Sequence, residues 1–148
     1  MNKDFIRVRT IKDITISSAL FISGIILVVL PISTSINIFG FFSLMTGGIL
    51  LVFLKTGWQD AETKEPYCKK DRYFSIDNKL KILNALENHV ENIDIFEDGK
   101  GEGLRMDIYY NKQNHKAFIY LFEYIPYNYE PVCAALEYTT DEIEKLLD

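Results

Sequence analysis

Residues 14–54 read ITISSALFISGIILVVLPISTSINIFGFFSLMTGGILLVFL and contain no Asp, Glu, Lys, Arg or His. Helices of globular proteins usually have about 8–20 residues. A single helix over this run would extend about 60 Å, twice the thickness of the hydrocarbon layer, whereas a transmembrane helix needs about 20 apolar residues. The run therefore predicts a transmembrane hairpin with helices over about residues 12–30 and 36–54 and a turn at 31–35.

The turn is predicted from the polar interruption LPISTSI, residues 30–36. Pro31 has no backbone N–H, and the hydroxyls that follow it can satisfy exposed backbone groups. Ser35 or Asn37 is expected to cap the second helix. A cleaved signal peptide is the alternative account of residues 1–30, but the apolar stretch is longer than usual and no A-x-A-like site follows it.

Basic residues lie on both outer flanks of the hairpin. Arg9 and Lys12 precede it, Lys55 follows it, and the connecting turn has no basic residue. Since Lys and Arg stay preferentially on the cytoplasmic side, both termini are predicted to be cytoplasmic, in the plasma membrane (the bacterial inner membrane). Trp58 is expected at headgroup depth, so these four residues form the predicted membrane interface.

Small residues four positions apart mark one face of each predicted helix: Ala19 and Ser23 in the first, Ser43 and Gly47 in the second. Further points of close approach are Gly24, Gly40 and Gly48. This face could join two copies of the chain, but a short turn already forces contact within one hairpin, which is the favoured interpretation. No ionisable residue lies within the spans, so the hairpin is interpreted as an anchor without transport chemistry.

The rest of the chain is predicted to be cytoplasmic. Residues 1–13 form a basic N-terminal segment, 55–72 a juxtamembrane linker, and 73–148 a small α+β domain. Residues 73–148 carry 7 Lys and Arg against 15 Asp and Glu, a net charge of −8. That charge argues against nucleic-acid binding, which depends on neutralising phosphates. With two cysteines, the chain is not a disulfide scaffold.

The α+β domain is expected to begin with a helix that is capped by Asp77 and extends to about Asn92. Its apolar stripe would comprise Leu80, Leu83, Leu86, Val90 and Ile93. An antiparallel sheet of about three to four strands should pack on this helix. The candidate strands are residues 93–98, the alternating LRMDIYY at 104–110, KAFIYLFEYI at 116–125, and PVCAALEY at 131–138, where a helix is the alternative.

A short C-terminal helix is predicted after the last strand. Thr139 and Glu142 match a capping box. The residues that would face inward from this helix are Ile143, Leu146 and Leu147.

The sequence contains no strong catalytic or ligand-binding motif. GKGEG at 99–103 is neither a P-loop nor a dinucleotide fingerprint, and is interpreted as a hairpin loop. The residue types that bind zinc are scattered singly at Cys68, His89, His115 and Cys133, without the paired spacing of a zinc site. Neither a metal nor another cofactor is therefore predicted.

Asp107 and Glu123 are the best candidates for acid–base chemistry. They lie on neighbouring predicted strands, and a carboxylate pair can act as acid and base when burial separates the two pKa values. With His115, they define the alternative hypothesis of a membrane-surface enzyme. The absence of a nucleophile motif favours a non-enzymatic protein.

The most unusual local stretch is YIPYNYEP, residues 124–131. Tyrosines interleaved with prolines make a stiff surface with amphipathic rings, of the kind that protein partners use. The predicted partner-binding residues are Tyr124, Pro126, Tyr127, Tyr129 and Pro131. The alternative is a rigid loop whose tyrosines cover the edge of the sheet.

These patterns lead to a first hypothesis, a membrane-anchored binding or regulatory module. It would present an acidic, Tyr-rich cytoplasmic domain to an unidentified protein partner, as an accessory subunit of a membrane complex or as an immunity-type protein does. The other hypotheses are the membrane-surface enzyme and a purely structural homo-oligomer assembled through the spans.

Overall fold

The computed structural model describes residues 3–31, 33–88 and 103–147. The chain divides into two compact units, which we call the hairpin unit, Ile6–Gln59, and the sheet unit, Met1–Phe5 with Asp60–Asp148. Three predicted features lie outside the described residues: the strand at 93–98, the end of the helix predicted to begin the α+β domain, and most of the GKGEG loop.

The hairpin unit is built on two long apolar helices, α1 (Ile11–Val29) and α2 (Thr34–Phe53). By length and composition, each is able to cross a membrane. The two long N-terminal helices of the sequence analysis are therefore confirmed. The cap of α2 differs from the prediction: Ser33, and not Ser35 or Asn37, accepts a hydrogen bond from the backbone N–H of Ile36. Capping by Ser33 lets the helix begin at Thr34, two residues earlier than expected.

Glycines bring α1 and α2 together. A Cβ added to Gly24 would lie 2.4 Å from the backbone N of Leu44, and one added to Gly47 would lie 2.5 Å from the backbone N of Phe21. Gly40 has the same close contact with Leu27, at 2.6 Å. Because any side chain would fill this space, the helix backbones approach closely only where a glycine is present.

Polar contacts join the two ends of the hairpin unit. Asp13 and Thr10 form a reciprocal capping box at the start of α1. The Asp13 carboxylate also accepts hydrogen bonds from the backbone N–H of Thr56, at 2.9 Å, and from its hydroxyl, at 2.7 Å. The Arg9 guanidinium donates to the carbonyl of Val52 at 2.8 Å. Residues before α1 and after α2 are thus held together by hydrogen bonds.

Two short adjacent strands, β1 and β2, connect these ends to the sheet unit, which contributes five further strands in the described ranges. The strands are β1 (Phe5–Val8), β2 (Gly57–Asp60), β3 (Pro66–Phe74), β4 (Leu104–Asn111), β5 (Lys116–Ile125), β6 (Asn128–Pro131) and β7 (Leu136–Tyr138). In the sheet unit, β3, β4, β5 and β6 form an antiparallel order, and β7 also pairs with β5. A small antiparallel sheet with short helices is therefore confirmed.

The hydrophobic core covers one face of this sheet. Two short helices, α3 (Lys79–Glu87) and α4 (Glu144–Leu147), supply its outer layer. The buried apolar residues are Phe74, Ile82, Leu86, Leu104, Met106, Ile108, Ala117, Ile119, Leu121, Ile143 and Leu146. The strand members of this core alternate along β4 and β5, so one face of the sheet is apolar and packs against the helices.

The predicted linker, residues 55–72, is the main correction to the domain boundaries. Most of it is strand, since β2 and the greater part of β3 lie there. Buried residues lie on both faces of β3, with Arg72 and Phe74 on the core face and Tyr67 on the opposite face, among charged residues that hid the strand in the sequence. The sheet therefore has more strands than the three to four expected. The N-terminal segment, 1–13, likewise contains a strand, β1.

The first helix of the sheet unit also differs from its prediction. Ser75, and not Asp77, caps a short 3-10 helix at Ile76–Asn78, and α3 follows it. The buried face of α3 contains Ile82 and Leu86, whereas Leu80 of the predicted stripe is 73% exposed. The remaining stripe positions at 90 and 93 lie outside the described residues.

The C-terminal part matches the prediction more closely. PVCAALEY is not one strand, because β6 ends at Pro131 and β7 begins at Leu136. The capping box is present: the carboxylate of Glu142 accepts from the backbone N–H of Thr139 at 2.7 Å, and the Thr139 hydroxyl accepts from the N–H of Glu142 at 3.4 Å. Ile143 and Leu146 are buried as expected.

The adjacent glycines of α2 allow a matched test of helix contact. Gly47→Ala should destabilise the hairpin by about 1–3 kcal/mol, because the new methyl meets the backbone of α1. Gly48→Ala should change stability by less than about 0.5 kcal/mol, because its Cβ would lie 3.7 Å from the ring of Phe21. Thermal unfolding of both variants in detergent micelles measures the difference, and equal melting temperatures would contradict the glycine contact.

Candidate functional site

The second face of the sheet is lined by aromatic side chains. We call this surface the aromatic face and define it by Tyr67, Tyr109, Phe118, Tyr120 and Phe122. It lies opposite the hydrophobic core because successive side chains of a strand point to opposite faces. Tyr67, Tyr109 and Phe118 are 4%, 8% and 3% exposed, so something covers them.

The cover is the N-terminal arm, Lys3–Phe5, and its central part is the ring of Phe5. The Phe5 ring stacks on Tyr109, with centroids 4.1 Å apart and planes 3° apart. It meets Tyr67 edge-on at 5.0 Å and Phe118 at 5.8 Å. Offset and edge-to-face ring pairs of this kind each contribute about 0.5–1.5 kcal/mol beyond the area that they bury.

Lys3 fixes the other end of the arm. Its ammonium lies 2.8 Å from the carboxylate of Asp60, which is 1% exposed, and 4.7 Å from the centroid of the Phe118 ring. The backbone of the arm is held as well: Tyr120 donates its phenol proton to the carbonyl of Lys3, and the N–H of Ala61 donates to the carbonyl of Asp4 at 2.8 Å.

The ion pair shifts the pKa values of Asp60 and Lys3 in the directions that favour their charged forms. Burial opposes ionisation of Asp60, but the hydrogen bond from Lys3 and those from the backbone N–H groups of Glu62 and Thr63 lower its pKa to about 2. The hydrogen bond to Asp60 raises the pKa of Lys3. Burial raises the pKa of the Tyr120 phenol to about 12, so it remains a hydrogen-bond donor at neutral pH.

A second charged group lies on the same face. Asp107 is 4% exposed, 3.0 Å from the ammonium of Lys69 and 2.9 Å from Nε of Arg105. Burial raises the pKa of Asp107, and the two cations oppose that effect. The alternation in LRMDIYY predicts a half-buried strand here. Both faces of β4 are instead largely buried, because the arm and the long side chains of β3 cover the polar positions.

The structure does not bring together the three residues proposed for catalysis. Asp107 pairs in register with Tyr120 and lies on the aromatic face, whereas Glu123 pairs with Leu104 and lies on the core face. Glu123 forms an ion pair with Lys79. His115 is in the loop after β4, 68% exposed, with Nδ1 3.6 Å from Asp141. A carboxylate pair therefore does not form between β4 and β5.

The predicted partner-binding residues lie in the hairpin that joins β5 to β6. Pro126 and Tyr127 form its two-residue loop, since the flanking Ile125 and Asn128 pair with each other. Tyr127 has φ 75 and is 98% exposed. Behind the loop, the rings of Tyr124 and Tyr129 lie 5.2 Å apart. Pro131 closes β6, paired with Phe122.

The predicted membrane-interface residues all lie in the hairpin unit. Trp58 is covered by the guanidinium of Arg7 at 5.1 Å, and Arg9 binds the end of α2 as described above. Lys12 and Lys55 are exposed.

The predicted packing residues of the helices separate into two groups. Ser23 and Ser43 lie with their hydroxyl oxygens 3.5 Å apart, and Gly47 makes close backbone contact. Ala19 was expected to pack between the helices but is exposed. Gly24 and Gly40 make close contacts between the helices instead.

The scattered zinc-type residues stay scattered. Cys68 is exposed and Cys133 is half-buried, both as free thiols. Within residues 3–31, 33–88 and 103–147, no group of three or more His, Cys, Asp or Glu side chains is placed to hold a metal ion. His89 lies outside those ranges.

Sequence reasoning missed the residues that build the arm. Phe5 is the first residue of FIRV, whose alternation is too short to identify a strand reliably. Lys3 and Asp60 are 57 positions apart and carry no local signal of their pairing. The T-x-x-D spacing of Thr10 and Asp13, in contrast, is a capping pattern that could have been found.

Stability should depend on pH through Asp60. Its pKa is lowered from 3.8 to about 2 in the folded chain, so protonation favours unfolding. The stabilising contribution is complete above about pH 4 and is lost as the pH falls towards about 2. Melting temperatures measured from pH 6 to pH 2.5 should fall less steeply for Asp60→Asn than for the wild type. The control, Asp77→Asn, should follow the wild type, and a wild-type slope in Asp60→Asn would contradict this assignment.

No protein-family model, curated protein or solved structure matches this chain. The case for a function therefore rests on the contacts of the aromatic face, the arm and the β5–β6 hairpin.

Proposed function

We propose that this chain is a membrane-anchored, non-enzymatic binding or regulatory module. The hairpin unit would anchor it in the plasma membrane, the bacterial inner membrane, with both termini in the cytoplasm. The sheet unit would present its acidic, Tyr-rich surface to a protein partner, as an accessory subunit of a membrane complex does. The observation that carries this proposal is the fully exposed tyrosine at the β5–β6 turn.

The outer surfaces of α1 and α2 support the anchor. Large apolar side chains there are open to the surroundings, among them Ile22, Phe39, Phe42 and Phe53, which are 55%, 69%, 64% and 75% exposed. In water, so much contiguous apolar surface is unfavourable, whereas in lipid it is the expected composition. Lys12 and Asp13 lie in the first turn of α1, and residues 14–54 contain no ionisable group, so the lipid core would meet none.

Contacts within the sheet unit support the proposal that both ends of the hairpin lie on the same side of the membrane. The chain leaves this unit after Phe5 and re-enters it at Asp60. Lys3 and Asp60 form the ion pair described above, and Asp4 accepts a hydrogen bond from Ala61. The residues at which the chain leaves and re-enters the sheet unit are thus bound to each other. This geometry favours an even number of membrane crossings between them. The basic flanks then place both on the cytoplasmic side.

The β5–β6 turn supports recognition of a partner. Tyr127 follows Pro126 with φ 75, the combination of a type II turn, whose third position normally takes Gly or Asn. A bulky residue with positive φ costs about 1–3 kcal/mol. The Tyr127 side chain is 98% exposed, so it makes no packing contact that would offset this cost. Strain without structural benefit is typical of a functional position, and exposed tyrosines are enriched at protein interfaces.

The alternative hypothesis, a membrane-surface enzyme, has less support. It needs Asp107, Glu123 and His115 in one site, and they occupy the aromatic face, the core face and an exposed loop. Homo-oligomerisation through small residues also has less support, since Gly24, Gly40 and Gly47 are used within the chain.

Topology can be tested by labelling single cysteines in intact cells. In a Cys68→Ser/Cys133→Ser background, Ser33→Cys should react with a membrane-impermeant maleimide, because the turn faces outward. Asp148→Cys should react only after lysis, because the C-terminus is cytoplasmic. Labelling of Asp148→Cys in intact cells, or release of the chain from membranes by carbonate without detergent, would contradict the proposed anchor.

The partner surface can be tested with matched tyrosine variants. Affinity capture from crosslinked, detergent-solubilised membranes should lose a specific partner with Tyr127→Ala/Tyr129→Ala and keep it with Tyr73→Ala, a tyrosine on β3 that is 42% exposed. Tyr127→Gly should also lose the partner while raising stability by up to about 1 kcal/mol, because glycine adopts positive φ without strain. Retention of every specific partner by the double variant would contradict the proposal.

A further inference from the structure

The N-terminal arm is bound to the sheet in the manner of a peptide ligand. Lys3 and Phe5, two positions apart in an extended chain, both contact the aromatic face, while Asp4 between them is exposed. Both backbone carbonyls that precede Phe5 accept hydrogen bonds, from Tyr120 and Ala61. Recognition of extended peptides by sheets uses this combination, in which backbone bonds give affinity and pockets for alternate side chains give specificity.

The arm is separable from the hydrophobic core. None of its residues belongs to the core cluster, which lies on the other face of the sheet between the strands and the helices α3 and α4. The arm contacts the aromatic face, Asp60 and Ala61, and its last residue, Phe5, is also the first residue of β1. Departure of three residues from that surface is therefore a local opening, which costs less than global unfolding.

An empty groove would bind a segment of the same chemistry. Without the arm, the rings of Tyr67, Tyr109 and Phe118 lose their cover, and the buried Asp60 loses its cation. An apolar groove with a buried, unpaired carboxylate at one end strongly favours a new occupant. That occupant must place a cation at Asp60 and an aromatic ring, two residues later, against Tyr109.

The arm does not fill the groove completely. A cleft of about 110 Å³ remains beside it, lined by Phe5, Asp107, Tyr120 and Phe122 among others. A competing segment can therefore gain contacts that the arm itself does not make, for instance with a residue bulkier than Asp4.

We propose that the groove formed by the aromatic face and Asp60 is a recognition site for an extended Lys-x-aromatic segment of a protein partner, and that the arm Lys3–Phe5 occupies this site until the partner's segment displaces it. The inference rests on the proposed function in that it assumes a protein partner. It concerns a different surface, because Tyr127 lies in the β5–β6 turn and is 98% exposed, whereas the arm covers the aromatic face.

The site can be tested with the full chain in detergent micelles and a fluorescent peptide of sequence MNKDFIRV, residues 1–8. The wild type should bind this peptide weakly, because an attached segment competes at an effective concentration in the millimolar range. Lys3→Ala/Phe5→Ala should bind it at least about 10-fold more tightly, since two main contacts of the arm are removed. Fluorescence anisotropy measures both affinities.

Two controls establish specificity. A peptide with alanine in place of its Phe should lose at least about 10-fold in affinity, and Asp60→Asn in the double variant should have a similar effect. Equal binding of the altered peptide, or no binding by a double variant that retains its circular dichroism spectrum, would overturn the proposal. If the double variant does not fold, Phe5→Leu keeps an apolar side chain and should still bind more tightly than the wild type.

Two further outcomes separate this inference from its alternatives. Tyr127→Ala should leave peptide binding unchanged, because the Tyr127 side chain is 98% exposed, so a failure of the proposed partner surface and a failure of the groove are distinguishable. A stable dimer of the wild-type chain that persists when peptide is added would overturn the proposal. It would indicate that two copies exchange their arms instead.

Discussion

The sheet unit depends on a three-residue arm to bury one of its two faces. A sheet of this size has a hydrophobic core on only one side, where α3 and α4 pack, and the aromatic side chains opposite would otherwise meet solvent. Phe5 covers them, and Lys3 neutralises Asp60 beside them. The arm includes the first residue of β1, so the same contacts lie where the chain leaves the sheet unit, and Asp60 is the residue at which it returns. One small set of contacts thus covers one face of the sheet and binds the residue at which the chain re-enters the sheet unit.

Glycine has an equivalent role in the hairpin unit. Helices in lipid gain little from the hydrophobic effect, so their association depends on close backbone contact and on a few polar groups. Gly24, Gly40 and Gly47 provide the contact, and Ser23 with Ser43 provides hydroxyls between the helices. Asp13 and Thr56 then close the open end of the pair. The outer surface is left apolar, consistent with the proposed anchor.

The two surfaces proposed for recognition differ in physical character. The β5–β6 turn holds Tyr127 at positive φ with its side chain exposed, so the proposed contact with a partner there displaces no part of the chain. The groove is filled by its own chain, so binding there requires displacement. A module with one open and one occluded site can bind a partner at the open site and respond to it at the occluded site. The arm is attached to the chain, and its effective concentration sets how strongly a competing segment must bind.

The amino-acid sequence by itself determined the features that depend on composition and local periodicity. Forty-one uncharged residues require two long apolar helices. The alternation in LRMDIYY and the spacing of Thr139 and Glu142 likewise identify a strand and a capping box, because these signals involve neighbours in the chain. The fold class and the location of the tyrosine-rich turn followed from such local patterns.

Only the tertiary structure decided which distant residues meet. The pairing of Lys3 with Asp60 and of Phe5 with Tyr109 joins positions that are 57 and 104 residues apart, and no local pattern encodes it. Strand β3 escaped detection because Lys69, Lys70 and Asp71 interrupt its apolar alternation, and those charges are accommodated by partners on other elements, such as Asp107 for Lys69. Register placed Asp107 and Glu123 on opposite faces, since a single-residue offset reverses the direction of a side chain. Long-range pairing and register are properties of the assembled sheet, and local sequence does not specify them.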